Sequence, residues 1–423
     1  MKATLPVLAG WVARAAVVVC TLVNTRLLID LLGVDGYAAV SIVLSLAPWF
    51  ALLNLGLPNA AQNLIAEMRA AGHGPERLQQ TAVDAACAAS FVLVPMALGA
   101  ALLIRHLLLE GYGRMPYAAV AALAWALTLT GLCVVFNQVL YATHRATWPA
   151  VAPAVQAALT TVLLGLATLA GATHPLWVTT AITLPMVAVF VISARRLDAR
   201  PRLAIDREEL RTLLRAGRGF LLFGAAGTAA LSCDYIVMAR LLGSGEIAQY
   251  NLASRTFNTV LTLHAVLLAA AWTPLSDRFF RSRFTDMRRY VGRLLCAGAA
   301  LTLVLGLPLA LWMDAVVGAL SGKRVAPLPG LLVASWLAYL LVRVWSDTFA
   351  MALLSCNQLG TMNRYVFWQS GVSLLAQWQL GLRYGAAGVV LGILASFILT
   401  AAWILPLRFM HLTRPPRPGL AAA

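Results

Sequence analysis

Apolar stretches long enough to cross a bilayer recur along the whole chain. They lie near 7–32, 37–66, 81–109, 117–141, 148–171, 174–197, 218–242, 247–275, 293–315, 327–354, 364–382 and 385–409. A spanning helix needs about 20 such residues, and a single apolar segment in lipid satisfies its backbone only as a helix. The pattern predicts an all-α polytopic membrane protein with about twelve transmembrane helices. Composition agrees. Of 423 residues 61% are hydrophobic and only 11% charged, against about 25% charged in soluble domains.

The net charge of +16 raises nucleic acid as a partner, but its distribution argues for topology instead. With the N-terminus inside, most Lys and Arg fall in cytoplasmic segments. Arg105, Arg114, Lys323, Arg324 and Arg383 fall outside, and Arg14, Arg26, Arg240, Arg255 and Arg343 fall within spans. This matches the positive-inside bias, with both termini cytoplasmic and the excess charge facing anionic lipid head groups. No nucleic acid partner is expected. Trp11, Trp148, Trp177, Trp272 and Trp312 sit near helix ends as interfacial anchors, and residues 414–418 form a short basic tail.

The cysteines, Cys20, Cys87, Cys133, Cys233, Cys296 and Cys356, form no CxxC pair, so neither a disulfide framework nor a metal site is indicated. No cofactor is expected. The first span carries Arg14 and has no small-residue cleavage pattern behind it, so it reads as an uncleaved helix rather than a signal peptide. No outside loop is long enough for a catalytic domain, which argues against an enzyme.

The chain reads as two halves, 1–198 and 218–423, joined by a basic cytoplasmic linker at 199–217 in which 206–214 could form a short amphipathic helix on the membrane face. Leu31-Leu32-Gly33 before Tyr37 is echoed by Leu241-Leu242-Gly243 before Tyr250. A polar turn, a Pro-interrupted span (Pro58, Pro274) and a basic loop follow in the same order each time. Six helices per half give both halves one orientation, a parallel repeat with pseudo-two-fold symmetry along the membrane normal, a plan that places substrate between the halves.

Polar residues inside the spans are costly and mark function. Asn251, Arg255, Asn258 and Thr262 recur at helical spacing on one face, flanking Arg255 with amides and hydroxyls as in a wet cavity. In the first half Arg14, Asn24, Arg26, Asn54, Asn59 and Gln62 are candidates for the same route. Arg26 and Asp30 stand four apart and could pair. Asp234, inside its span, is a candidate proton-coupling group. Arg343 and Asp347, four apart, read as a structural ion pair. Arginines bind phosphate or carboxylate strongly, and amides suit sugar hydroxyls. An amphiphile with an anionic head and sugars fits both sets; a cationic drug does not.

Arg26, the turn Leu32-Gly33-x-x-Gly36-Tyr37, and Asn54-Leu55-Gly56-Leu57-Pro58-Asn59-Ala60 resemble the start of polysaccharide and O-antigen flippases of the multidrug/oligosaccharidyl-lipid/polysaccharide exporter superfamily. The resemblance implies movement of undecaprenyl-diphosphate-linked oligosaccharide from the cytoplasmic to the periplasmic leaflet of the bacterial inner membrane by alternating access, for O-antigen or exopolysaccharide assembly. It implies a cationic cavity of helices 1, 2, 7 and 8, with Arg14, Arg26 and Arg255 near the diphosphate. Polysaccharide polymerase and chain-length machinery would be partners of a monomeric transporter. Alternatives are a multidrug or ion antiporter of the related extrusion family, a major-facilitator transporter suggested by Leu275-Ser276-Asp277-Arg278-Phe279-Phe280-Arg281, and a polymerase or ligase.

Overall fold

The computed structural model describes residues 4–414 apart from 71, 113–114, 144, 146, 198–201, 204 and 357–358. The side chains of 4–11, 66, 70, 266, 269–270, 272–273, 276–277, 280 and 359–364 are not described. The basic tail from 415 on, the side chains of Trp11 and Trp272, and much of the loop motif at 275–281 therefore lie outside the described residues.

The described chain is helical throughout, and each of the apolar stretches falls on helix. Among the described residues, eight helical segments are long and apolar enough to cross a membrane, nine if the pair bent by 50° at Leu93 is one span. Two of them, Val12–Asn54 with 43 residues and Tyr365–Leu412 with 48, exceed what one crossing needs. Large apolar side chains face outward along these helices, among them Val92, Leu169 and Leu311, as a lipid-facing surface requires.

The chain divides into two compact units. The first comprises Met1–Thr228, Gly243–Ala248 and Leu320–Val325; the second comprises Ala229–Leu242, Gln249–Ala319 and Ala326–Ala423.

In the first unit, α1 (Thr4–Ser45) is two helices joined at a single residue, Gly33, with φ 70° and ψ −175°. The polar turn expected over 32–37 is thus one glycine, and the next helix starts at once. Only glycine takes that backbone conformation readily. The second apolar stretch is broken further along, into α2 (Ala47–Ala51), a 3₁₀ turn (Leu52–Asn54) and α3 (Leu57–Ala70). Pro58 sits at the second position of α3, where a missing N–H costs nothing. Next come α4 (Glu76–Val92), α5 (Val94–Leu108), α6 (Tyr117–Ala142), α7 (Thr147–Leu169) and α8 (Pro175–Arg195). The unit packs around α6, which touches α2, α3, α4, α5 and α8 and is rich in Ala, Val and Leu that are almost fully buried. The final helix, α9 (Arg207–Leu231), begins within the expected linker. The predicted surface helix at 206–214 is the continuous first part of a spanning helix, capped by the Asp206 carboxylate, which accepts from the backbone N–H groups of Glu208 and Glu209.

The second unit holds α10 (Asp234–Leu241), most of α11 (Ser244–Phe280), and α12 (Phe284–Leu301) with its π-helical turn and the short α13 (Leu307–Leu311). α14 (Met313–Ser321), α15 (Gly330–Ser355), α16 (Leu359–Leu399) and α17 (Ala401–Leu412) complete the chain. α11 runs through Pro274 without a break, so the two Pro-containing spans differ: one is interrupted, the other is not. An aromatic chain forms the core. Tyr235, Tyr250, Trp336, Tyr339 and Phe397 follow one another with centroids 5.4–6.0 Å apart. α16 folds back on itself at Gly385, φ 59°. A Cβ on Gly388 would lie 1.9 Å from the Leu380 carbonyl oxygen, and one on Gly392 would lie 2.4 Å from the Gln377 nitrogen. The G-x-x-x-G spacing thus lets the two arms meet backbone to backbone, the role such small-residue pairs play in membranes.

Candidate functional site: charged and amide groups within the spans

In the first unit the polar groups gather on α1. Arg26 donates from Nε to Asp30 at 2.7 Å. Arg324 reaches the same carboxylate at 3.3 Å and donates from Nη1 to the Ile29 carbonyl at 2.9 Å. Gly322 lies against this corner: a Cβ there would stand 2.1 Å from Arg26 Nη1. Asp35, two residues past the Gly33 kink, accepts from the Ser244 hydroxyl. One carboxylate shared by two guanidiniums leaves a net positive site. The sequence pointed to Arg26 and Asp30 but gave Arg324 only a place in an outer loop. A basic residue in a short loop carries no mark of which helix it will meet.

Arg14 is exposed, and Asn24 is half-buried. The carbonyl oxygen of Asn24 is shielded and finds no partner among the described residues, so it can accept a hydrogen bond from a hydroxyl or water. Asn54 does local work. Its Nδ2 donates to the Gly131 carbonyl at 3.3 Å and its Oδ1 accepts from the Gly56 N–H at 3.0 Å, satisfying the backbone where the span breaks. Beyond that break, α3 carries Asn59 exposed and Gln62 half-exposed.

In the second unit the stripe on α11 divides. Asn251 is buried and donates to the Tyr235 hydroxyl. Arg255 is half-exposed and Asn258 exposed, with Asn258 Nδ2 donating to Ser254 at 3.0 Å. Thr259 and Thr262 donate back to the carbonyls of Arg255 and Asn258. The stripe therefore grades from a packed end at Asn251 to an open end at Arg255 and Asn258. Asp234 accepts from the Tyr250 hydroxyl at 2.5 Å. Neither tyrosine stood out as a partner in the sequence, although Tyr250 marked the repeat. Arg343 and Asp347 form an ion pair at 3.0 Å, with Tyr339 accepting from Arg343 Nη1 at 2.9 Å and the guanidinium 5.1 Å from the Phe397 ring. Among the described residues, no group of three or more His, Cys, Asp or Glu is placed to hold a metal ion.

The sequence profile described as "Polysaccharide biosynthesis protein" matches residues 7–280. The chain belongs to the polysaccharide biosynthesis protein family. In this family member the matched region runs to Phe280, the last residue of α11. It takes in Arg14, Arg26, Asp234 and Arg255 and leaves out Arg324, Arg343 and Asp347.

Relatives extend the likeness over nearly the whole length. A Yersinia pseudotuberculosis protein named for O-antigen export is 27% identical over 95% of this chain and 94% of its own. A Salmonella typhi protein named as an O-antigen transporter is 24% identical over the same shares. Among solved structures, an inward-facing multidrug resistance transporter of the MATE family superposes with TM-score 0.78 at 15% identity, covering 95% of this chain and 98% of that one. The lipid II flippase MurJ superposes with TM-score 0.71 at 14% identity, covering 97% and 90%. At such identity the superpositions establish the fold: this polysaccharide biosynthesis protein is a multi-pass helical membrane protein with the fold of those two structures.

Proposed function

We propose that the protein is a flippase that carries lipid-linked oligosaccharide, with undecaprenyl diphosphate as the lipid carrier, across the bacterial inner membrane for O-antigen or exopolysaccharide assembly. The observation that carries this reading is the pairing of family membership with relatives named for O-antigen export over 95% of the chain. The chemistry of the spans supports it. Arg26 with Arg324, and Arg255 beside Asn258, offer cationic and amide donors in apolar surroundings. Guanidinium forks suit diphosphate, and amides suit sugar hydroxyls. An extrusion-type antiporter shares the fold, but cationic drugs find no acidic cavity in these groups.

In this reading twelve crossings form two six-helix halves, 1–198 and 218–423, around the linker 199–217, with both termini cytoplasmic. Arg14, Arg26 and Arg255 meet the diphosphate. Asn24, Asn59, Gln62 and Asn258 follow with hydrogen bonds to sugars, while the prenyl chain stays in lipid. Asp234 resets the cycle through proton uptake. The protein works as a monomer and hands its product to polymerase and chain-length machinery.

The test is deletion of the gene followed by a leaflet-resolved assay of lipid-linked sugar. Intermediates should accumulate on the cytoplasmic leaflet. Normal arrival at the periplasmic leaflet, with no second flippase present, would overturn the reading. Arg255→Ala should cut transport at least tenfold while the protein still inserts and folds.

A further inference from the structure

Positive charge in the second unit gathers at the junction of α11 and α12. Arg278 ends α11, Arg281 and Arg283 occupy the turn that follows, and Arg289 and Arg293 stand on α12; together with Asp286 and Tyr290 they line one cavity of 340 Å³. Five guanidiniums thus face a single carboxylate. The construction is specific. Ser282, at φ 55°, reverses the chain between the helices. Asp286, Arg289, Tyr290 and Arg293 follow at i, i+3, i+4 and i+7, one face of α12. Arg278 is held from below, donating to the Pro274 carbonyl at 2.7 Å and lying 4.4 Å from the Tyr290 ring. Like charges so gathered repel one another, and a bound polyanion relieves that repulsion.

We infer that this pocket is a second binding site, separate from the polar groups within the spans, for the phosphate head group of a membrane lipid. The position favours lipid over a free anion. α12 is the first part of the span Phe284–Leu311, whose Leu303 and Val304 further along are 58% and 68% exposed, so the pocket sits at the end of that span, where head groups meet the helix. Arg288, beside the pocket, donates to Thr413 and to the Met410 carbonyl. Met410 lines a further groove of 680 Å³ in which Trp368, Ile404 and Leu407 stand beside Arg408, His411 and Arg414, an amphipathic channel that fits a lipid's chain alongside its head group. Planar guanidinium forks engage phosphate oxygens in pairs.

The experiment is native mass spectrometry on the full-length protein in detergent, offered phosphatidylglycerol, a prenyl diphosphate, phosphatidylcholine or inorganic pyrophosphate. Wild type should retain phosphatidylglycerol or the prenyl diphosphate at least tenfold better than phosphatidylcholine, and whichever is retained more tightly names the source. The triple variant Arg281→Gln, Arg289→Gln, Arg293→Gln should lose the preference for phosphatidylglycerol, while Arg105→Gln, an exposed arginine on α5, should keep it, which ties that retention to this pocket. Asp286→Asn, a milder change that strips no arginine, should tighten retention. Equal retention by wild type and the triple variant would overturn the inference, as would pyrophosphate binding as tightly as either anionic lipid.

Discussion

Arg324 is bound to the turn of α1 that holds Asp30: it donates to the Ile29 carbonyl at 2.9 Å and pairs with the Asp30 carboxylate at 3.3 Å, across 295 positions of sequence. Asp30 already holds Arg26 at 2.7 Å. Because Arg324 is 48% exposed at its side chain, the pair contributes little to stability, about 1 kcal/mol or less. Its expected weight is in the transport cycle, which must release any contact that closes one end of the route. Asp30→Cys with Arg324→Cys, in a protein lacking its other cysteines, should stop flipping when oxidised and recover on reduction. Undiminished flipping by the oxidised form would remove this corner from the cycle.

Arg343 and Asp347 make the opposite prediction. Their side chains are only 19% and 32% exposed, and Tyr339 completes the network. Removing one charge strands the other in an apolar setting, at about 3–5 kcal/mol. Arg343→Leu should therefore lower the thermal unfolding midpoint in detergent sharply. Arg343→Leu with Asp347→Leu should return it to near the wild-type value. If the double variant melts as early as the single one, the pair serves something other than mutual neutralisation.

Gly33 and Gly392 separate two kinds of glycine dependence. Nothing lies within 4 Å of a Cβ placed on Gly33, so Gly33→Ala tests backbone conformation alone and should cost about 1–3 kcal/mol. Gly392→Leu meets the backbone of Gln377 and should prevent the arms of α16 from closing. The expected readout is loss of folded protein on size-exclusion chromatography, against a milder loss for Gly33→Ala.

Asp234 and Tyr250, 2.5 Å apart, bear on energy coupling. Asp234→Asn should leave substrate binding in place but make flipping in proteoliposomes indifferent to an imposed pH gradient. Tyr250→Phe should weaken that response without abolishing it. A full gradient response from Asp234→Asn would exclude the carboxylate as the coupling group.

Helix placement was legible because apolar length and the need to satisfy backbone groups in lipid leave few options. Helix junctions were less so. Residues 32–37 read as a polar turn, yet one glycine suffices, since two helices can meet at a single residue with positive φ. The break at 52–56 is wider than Pro58 alone implies, because Leu55 and Gly56 both turn left-handed, with φ 54° and 73°. Periodicity on α11 found a polar face but not its neighbours. Asn251 and Arg255 share that face, but Tyr235 takes the first. Arg324 was invisible as a site residue because its meaning depends entirely on Asp30. The G-x-x-x-G at 388–392 escaped the sequence reading because its partner, the preceding arm of the same hairpin, is set by the reversal at Gly385.

That reversal has a consequence for motion. Where side chains interdigitate, two helices can slip by changing rotamers; where backbone meets backbone there is nothing soft to yield. With Gly388 and Gly392 seated on Leu380 and Gln377, the arms of α16 are expected to travel as one lever. Any rearrangement in this part of the protein then has to be taken up at the lever's ends, near Leu359 and Thr400.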